Sequence, residues 1–134
     1  MQPLKILYED KFITITEAYL TIKKYYFPLG TSKTIFFNEM KKISIEDASK
    51  VNHTWGLSTH FLNNWFHFDS ERKNRPKFIS IEIKGARVRP SVTPTDVDKA
   101  FDALRHHFME NQRMSVKFES NRGEETELAQ KEAD

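Results

Sequence analysis

Short runs in which β-branched and aromatic residues alternate with polar ones dominate the first third of the chain. Ile6-Leu7-Tyr8 is followed by Phe12-Ile13-Thr14-Ile15-Thr16 and by Tyr19-Leu20-Thr21-Ile22-Lys23. Such alternation puts one side of a strand in a core and the other in water. Glu9-Asp10-Lys11 and Glu17-Ala18 read as the turns between them. Tyr25-Tyr26-Phe27 prolongs the third run until Pro28-Leu29-Gly30, where Pro and Gly break the ladder and turn the chain. Thr34 to Phe37 and Met40 to Ile45 continue the series, with Met40, Ile43 and Ile45 as inward residues. An antiparallel meander is the simplest arrangement.

After a polar connection, Trp55-Gly56-Leu57 opens an aromatic segment that runs to Phe68, and Asp69 to Pro76 forms a charged turn. From Lys77 to Lys84 the alternation is clean: Ile79, Ile81 and Ile83 share one face, Ser80, Glu82 and Lys84 the other. A short strand is expected over Arg87 to Val92. The pattern then changes period. Val97, Ala100, Phe101, Leu104 and Phe108 recur at spacings of three and four, which predicts a helix over Pro94 to Phe108 with one stripe on the core. Thr93 is the expected cap, Pro94 the first helical residue, and Asp96 places negative charge at the positive end of the helix. Met114 to Phe118 is read as a brief further element.

Composition narrows the class. The 134 residues suit one domain with a single core, assigned to 1–118, followed by an acidic tail over 119–134 that is expected to be mobile. Net charge is −4 from Glu119 onward, leaving +6 on Met1 to Phe118. With no cysteine, disulfides, thiolate nucleophiles and Cys-based zinc sites drop out together, and a reducing, cytoplasmic setting is expected. Neither a spanning apolar run nor a signal-peptide pattern is present in the sequence.

Finer features carry a resemblance. Leu20-Thr21-Ile22, Tyr26-Phe27-Pro28, Lys33-Thr34-Ile35, Met40 and Ile43 are followed by Trp55-Gly56, Asp69-x-x-Arg72 and Ile79 to Ile83. Thr93-Pro94-Thr95-Asp96 then precedes the helix. Over residues 5 to 110 this series resembles the short bacterial pleckstrin-homology-like domains. The resemblance implies a mainly β fold with one C-terminal helix: a partly open barrel of two orthogonal antiparallel sheets, capped by the helix. The chain departs from the eukaryotic form in having no Trp in the helix, where it offers Phe101 and Phe108, and in an acidic Glu9-Asp10-Lys11 turn. An inositol-phosphate cradle is therefore not carried over.

Catalysis needs a nucleophile, a base and an orienting group brought together, and no short motif here supplies two of them. Gly30, Gly56, Gly85 and Gly123 are too far apart for a phosphate loop, and the five histidines match no zinc spacing. No catalytic residue, cofactor or metal is assigned. Trp65, Phe66 and Phe68 are the candidate interaction surface, because adjacent aromatics on a strand cannot all point inward. Lys23, Lys24, Lys41, Lys42, Arg72, Lys73, Arg75 and Lys77 are the candidate anion or membrane contacts, although nearby acids make solvated sheet edges the simpler role. Interspersed acids also argue against nucleic acid. The expected function is a non-catalytic interaction or self-association module with a protein partner or a second copy. The alternative is weak peripheral contact with an anionic membrane, and an unrecognised small enzyme ranks third.

Overall fold

The computed structural model describes residues 4–49, 51, 53–58 and 63–114. The expected element at Met114 to Phe118 lies outside them except for Met114, and the acidic tail lies wholly outside.

The early alternation forms β1 (Ile6–Glu9), β2 (Ile13–Thr16), β3 (Tyr19–Tyr26) and β4 (Thr31–Phe36), an antiparallel sheet in sequence order. Register puts Leu20 opposite Ile35 and Thr21 opposite Thr34. Leucine and isoleucine face the core, while the two threonine hydroxyls hydrogen-bond at 3.0 Å on the outer side. A 3₁₀ turn over Phe37–Glu39 leads to the second sheet. Its strands are β5 (Met40–Asp47), β6 (Gly56–Leu57), β7 (Asn64–Phe66), β8 (Lys77–Ile83) and β9 (Arg89–Val92), in the order β5-β8-β9-β7-β6.

The described residues are thus mainly β, two sheets and one C-terminal helix, with the strands arranged as a sandwich and no closed barrel among them. The expectation of wholly antiparallel sheets needs correction. β7 pairs parallel with β9, Asn64 with Arg89 and Phe66 with Ser91. The long segment between these strands, which carries a 3₁₀ turn over Arg72–Asn74 and then β8, supplies the crossover that a parallel pair requires.

One apolar core joins the sheets: Ile13, Ile15, Leu20, Ile22 and Ile35 from the first meet Met40, Ile79, Ile81 and Val92 from the second. A small second core of Ala48, Val51, Phe66 and Phe78 covers the far side of β8. That explains why Ser80, expected to face water, is buried. Asn64 Nδ2 satisfies it at 2.9 Å and also donates to Ser91 Oγ at 2.8 Å, tying together β7, β8 and β9.

Residues 97–114 are helical, α1. The apolar stripe faces the core as expected: Ala100 and Leu104 are fully buried, with Val97, Phe101 and Phe108 packed beside them. Leu104→Ala should therefore cost about 3 kcal/mol and the half-buried Phe101→Ala less, as read by urea denaturation. The start of the helix corrects the expected one. Asp96 Oδ1 accepts the Lys99 N–H at 3.1 Å, and the Ala100 N–H reaches the Asp96 carbonyl at 3.0 Å, so Asp96 is the cap. Thr93 is drawn into a buried polar cluster instead. Asp10 holds the intervening segment, since its Oδ2 accepts from Tyr8 Oη at 2.6 Å and the Thr95 N–H at 2.9 Å. Its Oδ1 takes the N–H groups of Phe12 and Ile13. Burial alone would raise the Asp10 carboxyl, but these bonds outweigh it and hold its pKa below the ordinary value.

Candidate functional site

The end of the molecule around the β3–β4 turn is built on an irregularity in β3. Lys24 has φ of 53°, a left-handed conformation unusual for a residue with a side chain, and the β3–β4 register slips between Ile22 and Tyr26. The bulge turns two carbonyls away from the ladder. Lys24 O accepts the Phe68 N–H at 2.9 Å. Tyr25 O accepts two indoles, Nε1 of Trp55 and Nε1 of Trp65, both at 2.9 Å. Two lone pairs on one carbonyl thus hold both tryptophans, and with them the aromatic segment, against β3. Because glycine adopts this φ freely, Lys24→Gly should leave stability unchanged or raise it by up to about 1 kcal/mol. Lys24→Val should lower the melting temperature, since a β-branched residue is strained there.

Beyond the bulge the chain turns through Phe27-Pro28-Leu29-Gly30, closed by the Gly30 N–H on Tyr26 O at 2.7 Å. Gly30 has φ of +75°, and a Cβ there would come to 4.0 Å from the Trp55 ring, so conformation rather than space calls for glycine. The turn exposes its apolar side chains: Leu29 is 87% and Phe27 66% accessible. Phe27 stands edge-on to Trp55 at 5.1 Å, and Trp55 to Phe68 at 5.4 Å. An open cleft bordered by Leu29, Gly30, Trp55, Phe68 and Lys24 runs along this end. A smaller one, sharing Lys24 and Phe68, continues to Lys11 and Phe12. Lys33 lies over the rings of Tyr25 and Tyr26 and donates to Tyr26 Oη at 3.2 Å.

Beneath this end lies a buried polar cluster. The His67 ring is inaccessible, and its Nδ1 lies 3.0 Å from Phe68 O, which can only accept. The Nδ1–H tautomer follows, leaving Nε2 to accept the Thr93 N–H at 3.0 Å. Thr93 Oγ1 donates to Asp69 Oδ2 at 2.8 Å. The same oxygen takes Arg75 Nε at 2.9 Å, and Asp69 Oδ1 takes the Glu71 N–H at 3.0 Å. Arg72 is fully buried, stacks over Phe66 and donates to His67 O. Its Nε stands 3.8 Å from Asp69, and neither Nε nor Nη1 has a hydrogen-bond partner among the described residues.

Burial, reinforced by the Arg72 charge, holds the His67 pKa down to about 3. Burial would raise Asp69, but the hydrogen bonds from Arg75, Thr93 and the Glu71 N–H hold it at about 2. Burial lowers Arg72 to about 10, with Asp69 opposing. At neutral pH the cluster is therefore a neutral histidine beside an ionised carboxylate with two arginines. It has neither an exposed base nor a nucleophile.

The expected interaction surface is redistributed by this arrangement. Phe66 is a core residue, fully buried against Phe78, and is removed from the surface. Trp65 and Phe68 are half-buried, and of the two only Phe68 borders the clefts described above. The rings avoid a common direction because the strand proper ends at Phe66, so Phe68 departs from it. Sequence reasoning missed Phe27 and Leu29, read only as the end of a strand and a turn. The available signal was two large apolar residues flanking a Pro at a turn.

The eight expected cationic contacts likewise divide. Arg72 is buried and must be withdrawn as a surface contact. Arg75 pairs with Asp69 and Glu71, Lys23 with Glu9, Lys41 with Glu82, and Lys77 with Asp98. Lys42 and Lys73 are exposed without joining the aromatic end, whereas Lys24 stands 5.6 Å over the Phe68 ring. A shallow open cleft of about 740 Å³ along edge strand β5 sets Glu46 and Asp47 against Lys73, Lys77 and Arg75, the last already paired with Asp69 and Glu71, and so carries both signs of charge.

Among the described residues, no group of three or more His, Asp or Glu side chains is placed to hold a metal ion, and no helix is long and apolar enough to cross a membrane. Comparison with protein-family models, with curated proteins and with solved structures finds no match, so a functional reading rests on the geometry of the β3–β4 end.

Proposed function

We propose that the chain is a non-catalytic binding module of pleckstrin-homology-like type that docks through its β3–β4 end. One observation carries the proposal: Phe27 and Leu29 are held out into solvent on a turn whose base is fixed by two tryptophans bonded to one carbonyl. Exposed apolar groups on a rigid support are the usual makings of a contact site. A four-stranded sheet, a second sheet and a closing helix support the family reading, while the parallel β7–β9 pair is a departure from it.

The sequence favoured a protein partner or second copy because the Trp65 to Phe68 run had no evident way to bury its rings. The burial of Phe66 and the indole bond of Trp65 weaken that reason. The docking end itself is tested by Phe27→Ser/Leu29→Ser. The melting temperature should stay within a degree or so, because exposed side chains contribute little to folding. Association with a second copy by light scattering, or with vesicles by sedimentation, should be lost. Association that persists undiminished in the double variant would place the contact elsewhere.

A further inference from the structure

We infer that the occupant of the β3–β4 end is the surface of an anionic lipid bilayer, into which Phe27 and Leu29 insert while Lys11, Lys24 and Lys33 meet the headgroups. The inference rests on the docking reading above and adds the chemistry of the partner.

Shape is the first argument. At 87% and 66% accessible, Leu29 and Phe27 project from a turn, so they form a convex tip standing beside the open clefts rather than inside them. A tip of two side chains buries little area against a flat protein face, far below what a stable protein interface requires. A bilayer deforms around it, and interfacial binding needs only a few apolar side chains reaching the acyl boundary, with cations behind them. Trp55 belongs to the same arrangement. It packs against Phe27 while its indole N–H is already bonded, which suits an aromatic ring at headgroup depth.

Charge is the second. Lys24 borders both clefts of this end and Lys11 the smaller one. Lys33 lies over Tyr26, the residue before Phe27. None of these three lysines forms an ion pair among the described residues, in contrast to Lys23, Lys41 and Lys77. Among the described residues Asp69 is the one carboxylate lining the two clefts, 2% accessible and occupied by Arg75 and Thr93, while the exposed Glu71 and Glu9 nearby are paired with Arg75 and Lys23. What an approaching surface meets is therefore apolar at the apex and positive around it. Anionic lipid is complementary to both parts, whereas an acidic peptide would leave the apex in water.

Sedimentation with vesicles of phosphatidylcholine alone, and of phosphatidylcholine with about one part in four phosphatidylserine, tests the assignment. Binding is expected only to the anionic vesicles, with release at high salt as the lysine attraction is screened. Lys11→Gln/Lys24→Gln should weaken it by about 25-fold, at roughly a fivefold loss per lysine. Phe27→Ser/Leu29→Ser should abolish it without changing the melting temperature. In wild-type protein, brominated acyl chains should quench tryptophan emission from Trp55, an outcome that needs no variant. Absence of binding to the anionic vesicles, or equal binding by the serine variant, overturns the lipid assignment. If vesicles are ignored but the wild type self-associates and the serine variant does not, the docking end stands and a second copy replaces the bilayer. If the serine variant behaves as wild type in both assays, the docking reading fails as well.

Discussion

Asp69→Ala is expected to destabilise the protein by about 3 to 5 kcal/mol, the cost of leaving a buried charge without its counterion. Asp69 is where the cluster converges: its two oxygens accept from Arg75, Thr93 and the Glu71 N–H, and Arg72 Nε stands 3.8 Å away. Removing the carboxylate leaves Arg72, fully buried, facing only the His67 carbonyl and the Phe66 ring. Arg72→Met should behave differently. Asp69 keeps Arg75, the desolvated guanidinium and its two unbonded nitrogens disappear, and an apolar chain of similar length fills the space above Phe66. A loss within about 1 kcal/mol, or a small gain, is expected. Urea denaturation of both variants decides the matter. Equal losses, or a larger one for Arg72→Met, would show that the cluster is organised around the arginine rather than the carboxylate.

The contrast shows where sequence reading stops. Period-two and period-four patterns placed β2, β3, β5, β8 and the stripe of α1 correctly, because burying one face is a demand that each residue states locally. Ser80 and Phe66 were misread for the opposite reason. Whether the outer face of β8 meets water depends on Ala48, Val51 and Asn64, which arrive from distant segments. The parallel pairing of β7 with β9 is equally invisible in either strand alone. Thr93 read as a helix cap since it precedes Pro94, but a buried carboxylate and imidazole compete for its hydroxyl and backbone N–H, and Asp96 caps instead.

The docking end was hidden in another way. Lys24 carries no mark in the sequence that it will adopt a left-handed φ, and only that bulge frees the Tyr25 carbonyl for two indoles 30 and 40 residues further along. The cationic residues were visible as a set. Their division was not, since it depends on which of them find carboxylates across the fold: Lys77 meets Asp98 on α1, and Lys41 meets Glu82 across the β5–β8 pair. Among the described residues Lys24 meets an aromatic face and no carboxylate.

The second large effect is one of pH. His67 is neutral in the native state, with Nδ1–H donating to Phe68 O and Nε2 accepting from Thr93 N–H. Protonation would set an Nε2–H against that N–H, in an inaccessible site beside Arg72. The folded pKa is depressed to about 3, against 6.5 for an ordinary histidine. Between these values the unfolded chain binds one proton more than the native one, so stability rises with pH across that window. The contribution is fully present above about pH 6.5 and is lost as the pH falls. From pH 6.5 to 4 the loss should reach about 3 kcal/mol, at 1.4 kcal/mol per pH unit. The depressed carboxylates of Asp69 and Asp10 add a loss of the same sign that begins below about pH 5 and grows past pH 4, so most of the slope above pH 4 belongs to the histidine. His67→Gln is the control: its amide can donate to Phe68 O and accept from Thr93 N–H, yet it does not titrate. Unfolding free energies measured from pH 7 to 4 should slope in the wild type and lie nearly flat in the variant. A slope that survives His67→Gln would mean that other groups carry the acid sensitivity and that the imidazole is not held neutral by the contacts described.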